Sequence, residues 1–196
     1  MLANGANTLR DGRLYWYPDF LAPAEAETWQ QRLTEQIPWR QQAIRLFGRW
    51  VDQPRLVAWF GTLDYRYSGL TLSACPPPDW LKPLWQACEQ QAGRRFNGLL
   101  LNRYRDGQDG MGWHADDEPE LGRDPVIASL SLGQTRRFLL KHKDGGERLA
   151  LALPAGSLLV MAGALQHHWL HALPKTRRPC AERINLTFRY LYSSPA

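Results

Sequence analysis

The sequence predicts a β-rich α+β domain, an antiparallel sandwich or jelly roll preceded by helices. Three observations predict it. The second half carries six short β runs, residues 96 to 104, 126 to 132, 137 to 141, 149 to 153, 157 to 161 and 183 to 192. They are parted by turn signals such as Asp144-Gly145-Gly146 and Pro154-Ala155-Gly156. Helical periodicity is confined to the first half. The last run, Arg183-Ile184-Asn185-Leu186-Thr187-Phe188-Arg189, alternates strictly between polar and apolar residues, as a strand between two environments does.

In chain order, residues 1 to 20 read as a short tail followed by an extended segment from Leu14 to Phe20, closed by a loop at Pro23. Trp29, Leu33 and Ile37 recur every four residues and predict an amphipathic helix over 24–37, which Pro38 stops. Residues 43–50 and 56–60 read as strands around a polar turn containing Pro54. A second helix is predicted over 79–92, with Asp79 as N-cap, Gly93 as the C-terminal stop and one stripe of Trp80, Leu81, Leu84, Trp85 and Cys88. No repeat or low-complexity linker interrupts the chain. Residues 1–196 therefore read as one domain, with a subregion boundary near residue 94.

At 196 residues the chain is long enough to bury a core without disulfides or structural metal. Apolar residues make up 44% and charged residues 22%, which excludes pervasive disorder. Cys75, Cys88 and Cys180 are odd in number and lack a CxxC spacing, which argues against a disulfide framework or zinc knuckle and for a reducing compartment. The N-terminus lacks a signal-peptide pattern, and no segment approaches a membrane span. We expect a soluble monomer, cytoplasmic in a bacterium or nuclear in a eukaryote, with no membrane partner. A net charge of +5, carried mainly by arginine, suits a polyanion such as nucleic acid.

The chemistry-bearing residues fall on the β-rich half. In the last strand Arg183, Asn185, Thr187 and Arg189 share one face, and Ile184, Leu186, Phe188 and Tyr190 share the other. Arginines on a strand with an apolar reverse side become enclosed and need a carboxylate or phosphate partner, so this face predicts an anion site. His114 and Asp116 stand two apart in Trp113-His114-Ala115-Asp116-Asp117-Glu118, and Gln166-His167-His168-Trp169-Leu170-His171 offers a third ligand. Two histidines and a carboxylate bind one face of iron(II) and leave positions open for a 2-oxo acid and dioxygen. The far carboxylate of such a co-substrate requires a fixed cation, which a strand arginine supplies, so 2-oxoglutarate is the expected co-substrate.

These motifs resemble the AlkB family of iron(II) and 2-oxoglutarate dioxygenases, which oxidatively dealkylate nucleobases. The match runs from about Phe47 to Tyr192 through FGRW, YSGLT, LLNRYRDGQDGMGWHADDE, IASLSLG, WLHALP and RINLTFRYLY. The resemblance implies a double-stranded β-helix core over 94–192, with N-terminal helices and a nucleotide-recognition lid in 1–93. It also implies iron(II) on His114, Asp116 and His171, leaving His167 and His168 outside the triad. 2-Oxoglutarate is expected against Asn102, Tyr104, Arg183, Asn185, Thr187 and Arg189, with Arg189 on the distal carboxylate and Arg183 nearer the iron.

Oxidative demethylation of bases such as 1-methyladenine and 3-methylcytosine is then the expected reaction, with dioxygen consumed and formaldehyde, succinate and carbon dioxide released. The partner is alkylated DNA, single- or double-stranded, or RNA. A base inside a duplex must leave the stack to be reached. Periodicity alone reads Phe47 as a strand core residue; the resemblance reads it as a wedge filling the gap, flanked by Gly48 and Arg49. Tyr65, Arg66 and Tyr67 match a base-stacking segment, one tyrosine sandwiching the base against His114. Asp117 is expected to contact the exocyclic amine or positive charge of the lesion, with Glu118 either assisting or solvated.

Where duplex-acting relatives carry a longer basic loop, the turn Lys141–Arg148 is short, which leaves strand preference open. A competing reading keeps iron and 2-oxoglutarate but acts on RNA, protein or lipid. Another, a silent nucleic-acid-binding jelly roll, requires a lost ligand or a lost Arg189, and both are present.

Overall fold

A computed structural model describes residues 2–46, 48–67 and 69–193, with backbone only for Arg45, Leu46 and Tyr67. The first half runs β1 (Gly5–Leu9), β2 (Gly12–Tyr17), α1 (Pro23–Gln36), β3 (Arg40–Leu46), β4 (Arg49–Gly61), β5 (Tyr65–Tyr67), β6 (Leu70–Leu72) and α2 (Lys82–Ala92). The second half runs β7 (Gly98–Tyr104), β8 (Met111–His114), β9 (Ile127–Gly133), β10 (Arg136–His142), β11 (Arg148–Leu153), β12 (Leu158–Ala162), α3 (Leu165–His168), β13 (Trp169–Leu173) and β14 (Arg183–Arg189). An eight-stranded sheet is ordered β1-β2-β12-β9-β14-β7-β4-β3, and a four-stranded sheet β11-β10-β13-β8. Among the described residues no helix is long and apolar enough to cross a membrane.

The period of two in each central strand builds three layers. Ile184, Leu186 and Phe188 of β14, with Leu99 and Leu101 of β7 and Leu130 of β9, face the helices and pack with Leu33, Leu84, Trp85 and Cys88. Their alternates face the small sheet, where Leu100, Tyr104, Leu159 and Met161 meet Phe138, Leu140, Leu151, Trp169 and Leu173. Two cores thus lie on opposite sides of one sheet. All seven residues of β14 are buried. This is the predicted jelly roll, with the helices on the outer face of its larger sheet.

Local predictions met mixed outcomes. α1 and α2 form where the apolar stripes placed them, and Gly93 closes α2 in the left-handed region at φ 62°. Asp79 does not cap α2: it opens a preceding 3-10 turn (Asp79–Leu81) and pairs with Lys82 at 2.6 Å. The expected tail contains β1, which hairpins onto β2 and extends the large sheet. Its sequence Gly-Ala-Asn-Thr-Leu is too polar to read as a strand by itself. β8 and β13 were also missed, because their histidines break the apolar pattern.

Pro54 is not at a turn. β3 and β4 meet at residues 47–48, and Pro54 lies inside β4 where the register slips between Gln41 and Ala43. A proline lacking its donor is tolerated at such a bulge. Its carbonyl accepts from the Gly110 amide at 2.9 Å. The bulge turns Gln53 and Arg55 inward, and both are buried.

Candidate metal centre and anion cleft

Strand pairing assembles the first two ligands. β13 runs antiparallel to β8 with His171 directly opposite His114, so both rings project to one face, centroids 4.1 Å apart. Asp116 lies beyond the end of β8. Its backbone amide donates to the buried Gln166 Oε1 at 3.0 Å, and its Oδ2 sits 3.9 Å from His171 Nε2. Ligand atoms of His114, Asp116 and His171 all lie within 4.8 Å of one another.

The protonation states suit a cation. Burial pushes the His171 imidazole down to about 3, helped by neighbouring His114, and burial also lowers His114. Burial alone would raise the Asp116 carboxyl, but the Arg189 guanidinium beside it, the largest opposing influence, holds it below the usual range. The set is two neutral imidazoles and one carboxylate. His114 Nδ1 donates to the Gly112 carbonyl at 2.8 Å, which leaves its Nε2 lone pair for a metal. His171 Nδ1 is buried with no hydrogen-bond partner among the described residues. These residues fit iron(II) and its facial geometry.

The cleft beside them is lined from β14, β7, β9 and β4. Arg183 stands opposite Tyr104, Asn185 opposite Asn102, and Thr187 opposite Leu100. Asn185 Nδ2 donates to Ser129 Oγ at 2.8 Å, and Thr187 Oγ1 donates to Asn185 Oδ1 at 3.0 Å, so the wall is held in one arrangement. Arg183 donates to Ser131 Oγ at 2.9 Å and lies 5.4 Å over the Tyr104 ring. Burial drives its guanidinium down to about 10, and its Nε is buried without a hydrogen-bond partner. Among the described residues no carboxylate pairs with it.

Arg189 occupies the other end. It lies 3.7 Å from Asp116 Oδ1 and donates to the Tyr65 hydroxyl. The expected order along the strand is therefore reversed: Arg189 sits at the metal ligands and Arg183 away from them. Five residues of strand separate the two charges, and only the ligand set in three dimensions fixes which end is which.

Arg55 also lines the cleft and donates to Asn102 Oδ1 at 2.9 Å. A turn expected at Pro54 hides Arg55 from the sequence pattern; the alternation Gln53, Arg55, Val57 is the signal that marks it. Gln166 was missed too, hidden among the histidines that follow it.

The substrate-facing expectations change more. Tyr65 lines the cleft, but Trp59 stacks on it at 4.8 Å and Arg189 lies 4.7 Å over the ring. With those neighbours the Tyr65 ring does not present a face for a base; the side chain of Tyr67, the other tyrosine of the expected sandwich, lies outside the described residues. Burial pushes its hydroxyl well up, and it donates to Glu118 Oε1 at 3.1 Å. Glu118 lines the cleft, with Oε2 buried and unpartnered and its carboxyl raised by burial and by Asp116. Asp117 instead points outward to Lys143 at 3.3 Å. Glu118 and not Asp117 faces the cleft, because alternate residues past His114 face opposite ways. Arg66, Gly48 and Arg49 are exposed. Phe47 and the side chain of Tyr67 lie outside the described residues.

Comparison with known proteins supplies a frame for this geometry. The model of the 2OG-Fe(II) oxygenase superfamily matches residues 13–189. Alpha-ketoglutarate-dependent dioxygenase alkB homolog 3 of Rattus norvegicus is 43% identical over 195 residues, covering 93% of this chain and 65% of the rat protein. The Homo sapiens alkB homolog 3 is 41% identical, covering 93% of this chain and 68% of that protein. DNA oxidative demethylase ALKBH2 of Homo sapiens is 39% identical over 186 residues, covering 88% and 71%. The chain thus spans just under two thirds of the rat relative. A solved structure, that of OsALKBH1, superposes with a TM-score of 0.61 at 17% identity, covering 94% of this chain and 99% of that one, a likeness of fold.

Proposed function

Because the chain belongs to the AlkB family within the 2OG-Fe(II) oxygenase superfamily, we propose that it removes alkyl groups oxidatively from the bases of DNA. One observation carries the reading. A buried Arg183 with no carboxylate partner among the described residues opens on the same cleft as His114, Asp116 and His171. A guanidinium so placed needs an anion, and a dicarboxylate that also reaches the metal answers both requirements.

In this reading His114, Asp116 and His171 hold iron(II). Arg183, with Tyr104 beside it, takes the distal carboxylate of 2-oxoglutarate. Asn102, Asn185 and Thr187 form the wall that fixes its orientation. Arg189 steadies the Asp116 carboxylate. When bound, iron(II), 2-oxoglutarate and dioxygen supply the oxidising equivalents, which hydroxylate the N-alkyl carbon and leave succinate, carbon dioxide and, after loss of the aldehyde, the restored base.

The chain's own task is to present the base and keep water out. Glu118 faces the cleft from beside the iron ligands, and a carboxylate there favours a cationic lesion over a neutral base. Phe47, Gly48, Arg49, Arg66, Tyr67 and Asp117 form the outer contact with the nucleic acid. RNA is a second substrate of the same cleft. The protein acts as a monomer inside the cell, a setting that suits the free thiols of Cys75, Cys88 and Cys180.

The test is incubation with iron(II), 2-oxoglutarate and oligonucleotides carrying 1-methyladenine or 3-methylcytosine, single- and double-stranded, with products read by mass spectrometry. Restored bases with matching succinate are expected. Asp116→Ala should abolish both. Succinate without repair on every nucleic acid overturns the substrate and favours a protein or lipid target.

A further inference from the structure

A second set of ligand atoms lies outside the cleft. Asp11 in the β1–β2 turn, His142 at the end of β10 and His168 at the end of α3 bring ring nitrogens and a carboxylate oxygen within 4.8 Å of one another. We propose that these three residues bind zinc and clip the N-terminal hairpin to the small sheet. The proposal does not depend on the dioxygenase reading.

The geometry supports it on several counts. The imidazoles of His142 and His168 lie nearly parallel, 14° between planes and centroids 5.9 Å apart, and a ring nitrogen of each comes within 4.8 Å of the other and of the Asp11 carboxylate. Asp11 Oδ2 is 3.2 Å from His142 Nε2. The other His142 nitrogen, Nδ1, is 2.7 Å from Asp144 Oδ1. A metal-binding histidine commonly donates its second ring N–H to a carboxylate, which fixes the tautomer and strengthens the donor. Asp144 is itself held by Arg10 at 2.5 Å, whereas Arg10 approaches Asp11 only to 3.5 Å. One acid orients, and the other remains to coordinate.

Rigidity is distributed as a site requires. His142 is buried, with the Trp169 ring edge-on at 5.3 Å, and the indole Nε1 donates to the Arg10 carbonyl at 2.8 Å. Asp11 holds a left-handed backbone at φ 54°, which turns its carboxylate back toward β10. Asp11 and His168 are exposed and can adjust. Tetrahedral zinc with ligands at about 2.1 Å places donor atoms about 3.4 Å apart, so the set closes from within 4.8 Å by reorienting the exposed side chains of Asp11 and His168. Two imidazoles and one carboxylate, with water completing the shell, suit zinc.

Without metal, the same residues form an imidazole in contact with two carboxylates, and stoichiometry separates the two states. Isothermal titration with zinc chloride should give about two equivalents for the wild-type protein, because the His114–Asp116–His171 set also takes zinc. Asp116→Ala and His168→Ala should each retain about one, and the double variant none. Asp11→Asn keeps a residue that tolerates the left-handed backbone and should weaken the second site about tenfold or more. Zinc should also raise the Tm of Asp116→Ala in a concentration-dependent manner that His168→Ala removes. His168→Ala should leave repair by the iron-loaded enzyme unchanged. One equivalent in the wild type, or an undiminished second equivalent in His168→Ala, overturns the proposal.

Discussion

A buried guanidinium costs stability until an anion reaches it, and Arg183 is such a group. Replacing it with a methionine of similar length removes the charge and the cost together. Arg183→Met should weaken 2-oxoglutarate binding about 10- to 100-fold, measured by the KM for the co-substrate. The ligand-free variant should be no less stable to urea, because removing an uncompensated buried charge is neutral or favourable. A large loss of stability would show that its contacts with Ser131 and Tyr104 more than offset the cost of the buried charge. Gln166 acts one step back from the metal: it accepts the Asp116 amide at 3.0 Å from a fully buried position. Gln166→Leu leaves that amide unsatisfied and frees the carboxylate to turn. Iron affinity should fall about tenfold with the fold intact, as read by metal titration and circular dichroism.

At the scale of elements, β4 and β7 come together where two glycines meet, Gly61 opposite Gly98. A Cβ at Gly98 would stand 2.4 Å from the Trp59 ring and 2.8 Å from Leu191 Cδ1. Gly98→Ala should cost about 1 to 3 kcal/mol in chemical denaturation. It should also lower kcat, since Trp59 stacks on Tyr65, which donates to Glu118 at the cleft. Such couplings are the part of the molecule a sequence hides. β14 was legible because its period of two set arginines against aliphatics, and the histidine-aspartate pair was legible because its spacing is chemical. Pro54 misled because a bulge and a turn share the same residue, and that error concealed Arg55. The reversal of Arg183 and Arg189 was not legible at all: alternation places both on one face without saying which end meets β8 and β13.

Across the whole molecule, three layers separate the tasks. Helices cover one face of the large sheet, and the small sheet closes over the other to enclose the site. The basic surface that remains, with a net charge of +5, is available for a polyanion. Binding of an unmodified oligonucleotide should therefore weaken steeply as salt rises from about 50 to about 200 mM, through release of counterions from the phosphates. On the proposed assignment of the enclosed Arg183 to its distal carboxylate, 2-oxoglutarate binding should change little over that range, because buried pairs are poorly screened. Equal salt sensitivity of the two would place the co-substrate at the surface. Titrations of both ligands across a salt series make the comparison.

The central position of β14 has a further consequence for biosynthesis. It pairs with β9 on one side and β7 on the other, yet it follows all the other described strands in the sequence. Until it leaves the ribosome, the nascent chain carries two sheet fragments whose facing edges are open, and neither core can close. Such edges invite wrong pairing. Completion of the sheet, both cores and the anion site is then a single late event, and chaperone protection during translation matters most just before it.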